Sequence, residues 1–407
     1  MDSKIQQLIN KEFWRQNEGL ELIASENYPS KEVLEACGSI AICKYAEGYP
    51  AKRYYGGCEY IDQIEQIAID RICELFKCKH ANVQPHCGST ANFSAYHALL
   101  PGGGKILSLD LNSGGHLTHG SPVSFSSDLY EFHFYHLDAT GHIDFDDLRA
   151  QIDFFNPDIV LCGCSAYPYT IDFNKFRATL DYCGSKAYLM ADIAHIAGLI
   201  AAGEHPSPFP ACDVVTSTTH KTLRGPRGGI IMWNNDDLTK PINSAVFPYS
   251  QGGPLENMIA GKAIMAYEAL QPSFKFYIQQ VKKNTKMMAD TFKELGCATS
   301  NTENHLLLLD TIKSFNLNGL EAQKKLEEIG ITTNKNMIPG DTLPPSKTSG
   351  LRIGCAAITT RGATAELCRK IATIIAWYLG GKMTADVAKQ NVKEITSNLK
   401  SIIWENK

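Results

Sequence analysis

Lys221 lies in VVTSTTHKTLRGPRGG, residues 214 to 229, and its surroundings are not those of a solubilising lysine. Val214 and Val215 run into four hydroxyl residues, a His–Lys pair follows, and then a stretch of Gly, Pro and Arg. The apolar start predicts a strand that ends a few residues before the lysine. AYLMAD, residues 187 to 192, predicts a second strand, ending on Asp192, with His195 three residues later. Ligands of open α/β sheets bind outside the carboxyl ends of the strands, so Lys221 and Asp192 can face one pocket. That pair fits the chemistry of pyridoxal phosphate: a lysine amine holds the aldehyde, and a carboxylate keeps the pyridine nitrogen protonated. A protonated ring can accept electrons from a substrate carbanion. Each residue alone has a plainer reading, a solvated lysine and a helix-capping aspartate. Their joint placement at strand ends strengthens the cofactor reading and leaves the plainer one open.

A phosphate needs a cradle. QPHCGSTANF (84–93) follows the predicted strand ANVQ and opens a helix, which puts Gly88 and Ser89 where free N–H groups and the helix dipole favour an anion. A plain strand–helix turn with Ser89 as N-cap has the same sequence. GGHLTHG (114–120) sets His116 and His119 among three glycines. No carboxylate nearby completes a metal set, so no metal site is expected. His116 is either a flat ring stacked on a cofactor or a hydrogen-bonded structural histidine. Arg352, in SGLRIG (349–354), is flanked by apolar residues and calls for a carboxylate, from the protein or from a substrate. Glu47 sits among Tyr45, Tyr49, Tyr54 and Tyr55, in a loop that presents an acid/base or packs its rings.

The elements that must position these residues alternate. ANVQ, KILSLD, DIVLCG, AYLMAD, DVVTS and GGIIMW read as strands, and STANFSAYHALL, DFDDLRAQI and FNKFRATLDYC as helices. Continuous apolar strands between helices predict an α/β fold with a mostly parallel sheet covered on both faces. Residues 1–16 read as a helical arm, SKEVLEACGSIAICKY (30–45) as a short helix, and 60–76 as a helix with apolar residues at helical spacing. From about residue 254 the pattern is long and helical, then α+β, with strands HLLLLD, ITTN and GLRIG. The expected layout is an arm over 1–25, a large domain over 26–265 and a smaller C-terminal domain over 266–407. The 407 residues carry a formal net charge of −4, with no basic stripe, which argues against nucleic acid and anionic membranes as partners. Thirteen cysteines, an odd number with no C-x-x-C, suit reduced thiols rather than a disulfide framework or a zinc site. With no apolar segment of about 18 residues and no signal-peptide core, a soluble cytoplasmic protein is expected.

Taken in order, LIASEN (22–27), KYAEGYPAKRYYGG (44–57), GGHLTHG, DIAHIAGL (192–199), TTHKTLRGPRGG (218–229), SAVFPYSQGGP (244–254) and SGLRIG resemble serine hydroxymethyltransferase over nearly the whole chain. The length suits the compact bacterial form. The resemblance implies the aspartate-aminotransferase type of pyridoxal-phosphate fold and a homodimer with shared sites. It also implies reversible transfer of a one-carbon unit from L-serine to tetrahydrofolate. Lys221 would hold the cofactor, with Thr218 beside it and His220 lining the pocket next to the substrate. Asp192 would meet the pyridine nitrogen, His116 stack on the ring, and Ser165 and His195 contact its 3-oxygen side. Gly88 and Ser89 would hold the phosphate, helped by Tyr55, Gly252 and Gly253 of a second subunit. Arg352 would bind the substrate carboxylate, with Ser25 and Tyr55 near, and Glu47 of the second subunit would move the proton at the serine hydroxyl. Tyr54, Leu111, Gly115, Leu117 and Asn336 would contact folate.

The sequence departs from the family pattern at Cys87, where a serine is usual, at Tyr249 and Ser250, at Pro345-Ser346, and at Cys355-Ala356-Ala357 after Gly354. These departures bear on folate affinity and cofactor retention. Rival readings are a folate-independent pyridoxal-phosphate aldolase, a catalytically silent relative, and a nicotinamide enzyme. The last lacks a G-x-G-x-x-G after a strand.

Overall fold

The computed structural model describes residues 2–402. They form two compact units: residues 29–275, and the residues up to Tyr28 together with those from Phe276 onward.

Unit 29–275 is built on a seven-stranded sheet. Its spatial order is His80–Asn82, Gly229–Trp233, Val214–Thr218, Tyr188–Asp192, Ile159–Gly163, Lys105–Leu109 and Glu131–Tyr135. Gly229–Trp233 runs antiparallel to both neighbours, and the remaining pairs are parallel. The fold is therefore α/β with a mixed sheet that is mostly parallel, as the alternation of strands and helices predicts. The strands Ile159–Gly163, Val214–Thr218 and Gly229–Trp233 are buried along their whole length, as strands covered on both faces must be. One face packs Ile106, Leu161, Met190, Val214 and Ile231 against Ala91, Ala95 and Tyr96 of the helix Gly88–Leu99. Each such aliphatic side chain contributes about 1.5–3 kcal/mol by leaving water.

Two local differences from the sequence reading have simple causes. Glu131–Tyr135 is a strand that was not expected; it lies at the sheet edge, where Glu131 is exposed and His133 half-buried, so it lacks an apolar run. The expected helix over 30–45 is a helix over Lys31–Cys37 and a 3-10 turn over Ile40–Cys43. Gly38 closes the first, its N–H reaching Leu34 O at 3.0 Å.

In the other unit, Gly350–Gly354 lies between Leu306–Asp310 and Asn334–Asn336, antiparallel to both. The expected strand ITTN is divided. Ile331–Thr332 pairs in parallel with Leu20–Glu21, and Asn334 begins the strand beside Arg352. Leu307, Leu309, Leu351 and Ile353 pack with Leu20, Leu22, Ile371 and Ile375 in one core. The arm forms the helix Ser3–Glu18, capped by Asp2. Arg361 fastens its end, donating to the carbonyls of Gln16, Asn17 and Gly19 at 3.3, 2.7 and 2.9 Å.

Candidate active site

Parallel pairing puts Asp192 opposite Thr216, so Asp192 and the chain leading to Lys221 emerge at the same end of the sheet. Lys221 is only 9% exposed. Asp192 Oδ2 accepts a hydrogen bond from Asn92 Nδ2 at 2.9 Å and lies 3.1 Å from His119 Nε2. Its Oδ1 accepts from the Ala194 N–H at 3.0 Å. His119 Nδ1 accepts from the His116 N–H at 3.2 Å. A neutral ring therefore carries its proton on Nε2 and donates to Asp192. Burial works to raise the Asp192 carboxyl, but the His119 hydrogen bond and charge, His116 and Asn92 outweigh it and hold it well below the usual carboxylate range. Asp192 is thus an ionised group in a buried place.

Asn92 is itself fixed: it donates to Thr118 Oγ1 at 2.9 Å, and its Oδ1 accepts from the Thr216 hydroxyl at 2.6 Å. His119 and Asn92 are the supporting residues that the sequence reading missed. His119 was visible only as a possible metal ligand. Asn92 stands one turn into an otherwise ordinary helix, and no local signal marks it. Among the described residues, no cluster of three or more His, Cys, Asp or Glu could hold a metal ion.

His116 is half-buried, with Nδ1 2.8 Å from Thr118 Oγ1. His195 is buried, and its carbonyl accepts from the Thr222 hydroxyl at 3.1 Å. Ser165 is tied to the same loop as His116 through its N–H to Gly114 O at 2.8 Å. His220 follows the buried Thr218 and Thr219. Its Nδ1 is buried without a hydrogen-bond partner, and burial together with Arg227, Lys221 and Lys262 pushes the ring down to about 3. His220 is therefore neutral at physiological pH.

The helix Gly88–Leu99 begins beside this cluster, with Cys87 as its N-cap. A Cβ on Gly88 would come within 2.7 Å of Thr218 Cγ2, so only glycine lets the helix start approach that strand. Cys87 is exposed, and its backbone N–H bonds Thr90 Oγ1 at 3.0 Å. Leu111 lies in a 3-10 turn, Gly115 closes it with an N–H to Asp110 O at 2.9 Å, and Leu117 is half-exposed.

A second group gathers in the same unit. A Cβ on Gly252 would lie 3.2 Å from Glu47 Oε1, and one on Gly253 3.3 Å from the Tyr45 ring. Tyr45 packs on Tyr55 with ring centroids 5.1 Å apart, and Tyr54 packs on Phe247 at 5.7 Å. The residues that the resemblance implies a neighbouring subunit donates, Glu47, Tyr55, Gly252 and Gly253, thus assemble on one part of the chain, where Tyr54 and Tyr55 are exposed.

In the other unit, Arg352 is 8% exposed on the central strand of its small sheet, opposite Leu308 and Asn334. Burial pulls its guanidinium down to about 10, still charged at neutral pH. Ser25 is half-buried in the segment after Leu22, whose carbonyl accepts the Gly354 N–H at 2.8 Å. Asn336 pairs with Gly350. Cys355 points into the core, 3.3 Å from Met288 Sδ, so packing absorbs that departure from the family pattern. Ser346 is exposed.

Fold and site define a class: an α/β protein that presents a buried lysine and an ionised aspartate at one end of a mostly parallel sheet. The comparisons narrow it. The serine hydroxymethyltransferase family model matches residues 1–375. The chain is 50% identical to the serine hydroxymethyltransferase of Mycoplasmopsis synoviae over 408 residues, covering 98% of this chain and 96% of that one. It is 52% identical to that of Leuconostoc citreum, over 96% of each chain. It is 49% identical to that of Campylobacter hominis, over 99% and 97%. The chain belongs to the serine hydroxymethyltransferase family. Membership carries the reaction class, one-carbon transfer linking serine and glycine with tetrahydrofolate as co-substrate, and the cofactor, pyridoxal phosphate.

The residues present fit that cofactor. A carboxylate held ionised suits a protonated ring nitrogen, a buried amine suits the aldehyde, and the first-turn N–H groups of the helix that starts at Gly88 suit a phosphate.

Proposed function

We propose that the Lys221–Asp192 pocket is where L-serine and tetrahydrofolate are converted reversibly to glycine and 5,10-methylenetetrahydrofolate. The observation that carries this reading is the Asp192 carboxylate, kept ionised by His119 and Asn92 at the end of the strand beside the one that leads to Lys221. When bound, pyridoxal phosphate supplies a conjugated ring that accepts the electron pair released as the serine Cα–Cβ bond breaks. Asp192 accepts a hydrogen bond from the ring N–H and keeps that proton in place. Lys221 Nζ would hold the aldehyde carbon of the cofactor. The first-turn amides of the Gly88 helix and the Ser89 hydroxyl bind the phosphate. His116 covers the ring face, Thr218 and His220 line the pocket, and Ser165 and His195 stand at the ring's 3-oxygen side. Arg352, with Ser25 and Tyr55, binds the amino-acid carboxylate. Holding it would restrict rotation about Cα of the bound amino acid. Glu47 moves the proton at the serine hydroxyl oxygen. Tyr54, Leu111, Gly115, Leu117 and Asn336 contact folate.

The fold is read as the aspartate-aminotransferase type, with an N-terminal arm over 1–25, a large cofactor-binding domain and a smaller C-terminal one. The working assembly is a homodimer in which Glu47, Tyr55, Gly252 and Gly253 complete the neighbour's site; their gathering on one part of the chain supports this. The enzyme works in the cytoplasm, a setting that suits its thirteen free cysteines. Among the described residues, no helix is long and apolar enough to cross a membrane.

Serine labelled at Cβ tests the reading. Incubated with the cofactor-loaded protein and tetrahydrofolate, it should transfer its label to the folate product and yield one glycine per serine consumed. Serine cleavage at an undiminished rate without tetrahydrofolate would contradict the reading and indicate a folate-independent aldolase.

A further inference from the structure

Lys262 has no part in the chemistry above, yet it is among the most deeply buried charges of the chain, at 2% exposure on the helix Glu256–Ala269. Its Nζ donates to three backbone carbonyls, Val83 at 2.6 Å, Gly229 at 2.9 Å and Pro85 at 3.1 Å. Three acceptors need three donors, and only the ammonium form of a lysine has them. Burial pulls this amine down to about 7, while the nearby Glu65 and Glu256 carboxylates act the other way. Glu65 is paired with Arg53 at 2.6 Å.

The three carbonyls are not random. Val83 and Pro85 lead into the Gly88 helix start. Gly229 closes the loop that carries His220 and Lys221, and its N–H bonds Pro85 O at 3.0 Å. That loop is drawn shut by Thr219 N–H to Gly228 O at 3.2 Å, Gly225 N–H to Thr219 O at 2.7 Å and Thr219 Oγ1 to Pro226 O at 2.6 Å. Carbonyl dipoles converging on one point repel one another, and a buried ammonium is a costly group to place there unless it holds them together.

We propose that Lys262 is a positioning residue: its ammonium serves as an internal cation that locks the Val83–Cys87 turn to the mouth of the Thr219–Gly228 loop, fixing the phosphate cradle relative to Lys221. The proposal rests on the reading that the cofactor phosphate sits at Gly88 and Ser89.

Lys262→Ala replaces the ammonium by a hole lined with carbonyls. Pyridoxal-phosphate affinity is expected to weaken about tenfold or more, the loss of hydrogen bonds to a charged donor. Amide exchange should quicken at residues 86–90 and 219–228 and stay unchanged in the strands Ile159–Gly163 and Lys105–Leu109. Methylammonium, which fits the hole as a replacement cation, should restore affinity and slow exchange in the variant without affecting the wild-type protein. Gly228→Ala gives an independent approach that spares the lysine itself. Its Cβ would fall 2.4 Å from Lys262 Cε and 2.9 Å from Nζ, the flexible end of that side chain, so the fold should survive and the same exchange pattern should appear. Unchanged cofactor affinity and exchange in Gly228→Ala, or a Lys262→Ala defect that is uniform across the sheet and indifferent to methylammonium, would overturn the proposal. Exchange in the cofactor-free protein is read without any turnover, so its outcome stands apart from whether serine and tetrahydrofolate are the substrates.

Discussion

Lys221→Ala is expected to abolish serine cleavage, lowering kcat by on the order of a thousandfold or more, while leaving the fold intact. The side chain is buried at a strand end, and no other lysine precedes or follows it in the Thr219–Gly228 loop. Nothing local can take over the amine. Cofactor should remain bound, because the phosphate cradle and Asp192 are untouched, but as free aldehyde that borohydride no longer fixes to the chain. The measurement is turnover together with borohydride trapping and a circular dichroism spectrum. Wild-type turnover in this variant, or undiminished covalent trapping, would remove Lys221 from the account.

The second large effect is expected at Asp192→Asn. The substitution keeps the shape and removes the charge, so the ring nitrogen would no longer be held protonated. A loss of on the order of a hundred- to a thousandfold in kcat is expected, the scale of removing one preorganised electrostatic partner. His119→Ala should cost less, about tenfold, since it leaves the carboxylate and removes one charge-assisted hydrogen bond. The pH dependence has a definite sign. The folded-state value of Asp192 is depressed from the ordinary 3.8, so its charge stabilises the native protein above that value, and the contribution fades as pH falls through the folded value. The stability gap between wild type and Asp192→Asn should therefore narrow on acidification below about pH 4, as denaturant titrations at several pH values would show. A gap that widened in acid would mean that Asp192 is protonated in the native state.

Much of this site could be read from residues in order. The strands that end at Asp192 and Thr218 announce themselves by apolar runs, because strands buried on both faces have no polar side to show. The placement of Lys221 and Asp192 at strand ends followed from that alone. Roles for Tyr55, Gly252 and Gly253, and the choice between acid/base and ring packing at Glu47, did not. They depended on the family resemblance, since residues brought together from positions about 200 apart leave no periodic trace. The support around Asp192 was hidden for the same reason: His119 and Asn92 act through contacts at sequence separations of 73 and 100. The edge strand Glu131–Tyr135 escaped because an edge tolerates polar residues. The division of ITTN was invisible because Thr333 is buried between two strands that serve different sheets.

The central claim, a lysine-bound cofactor whose chemistry on the amino acid is coupled to folate, is tested most directly by the visible spectrum of the cofactor-loaded protein. It should be recorded alone, with glycine, and with glycine plus tetrahydrofolate. The account predicts a cofactor band that responds to glycine and gives way to a sharp, red-shifted band only when tetrahydrofolate is added. A spectrum that responds to glycine but is indifferent to tetrahydrofolate would contradict it.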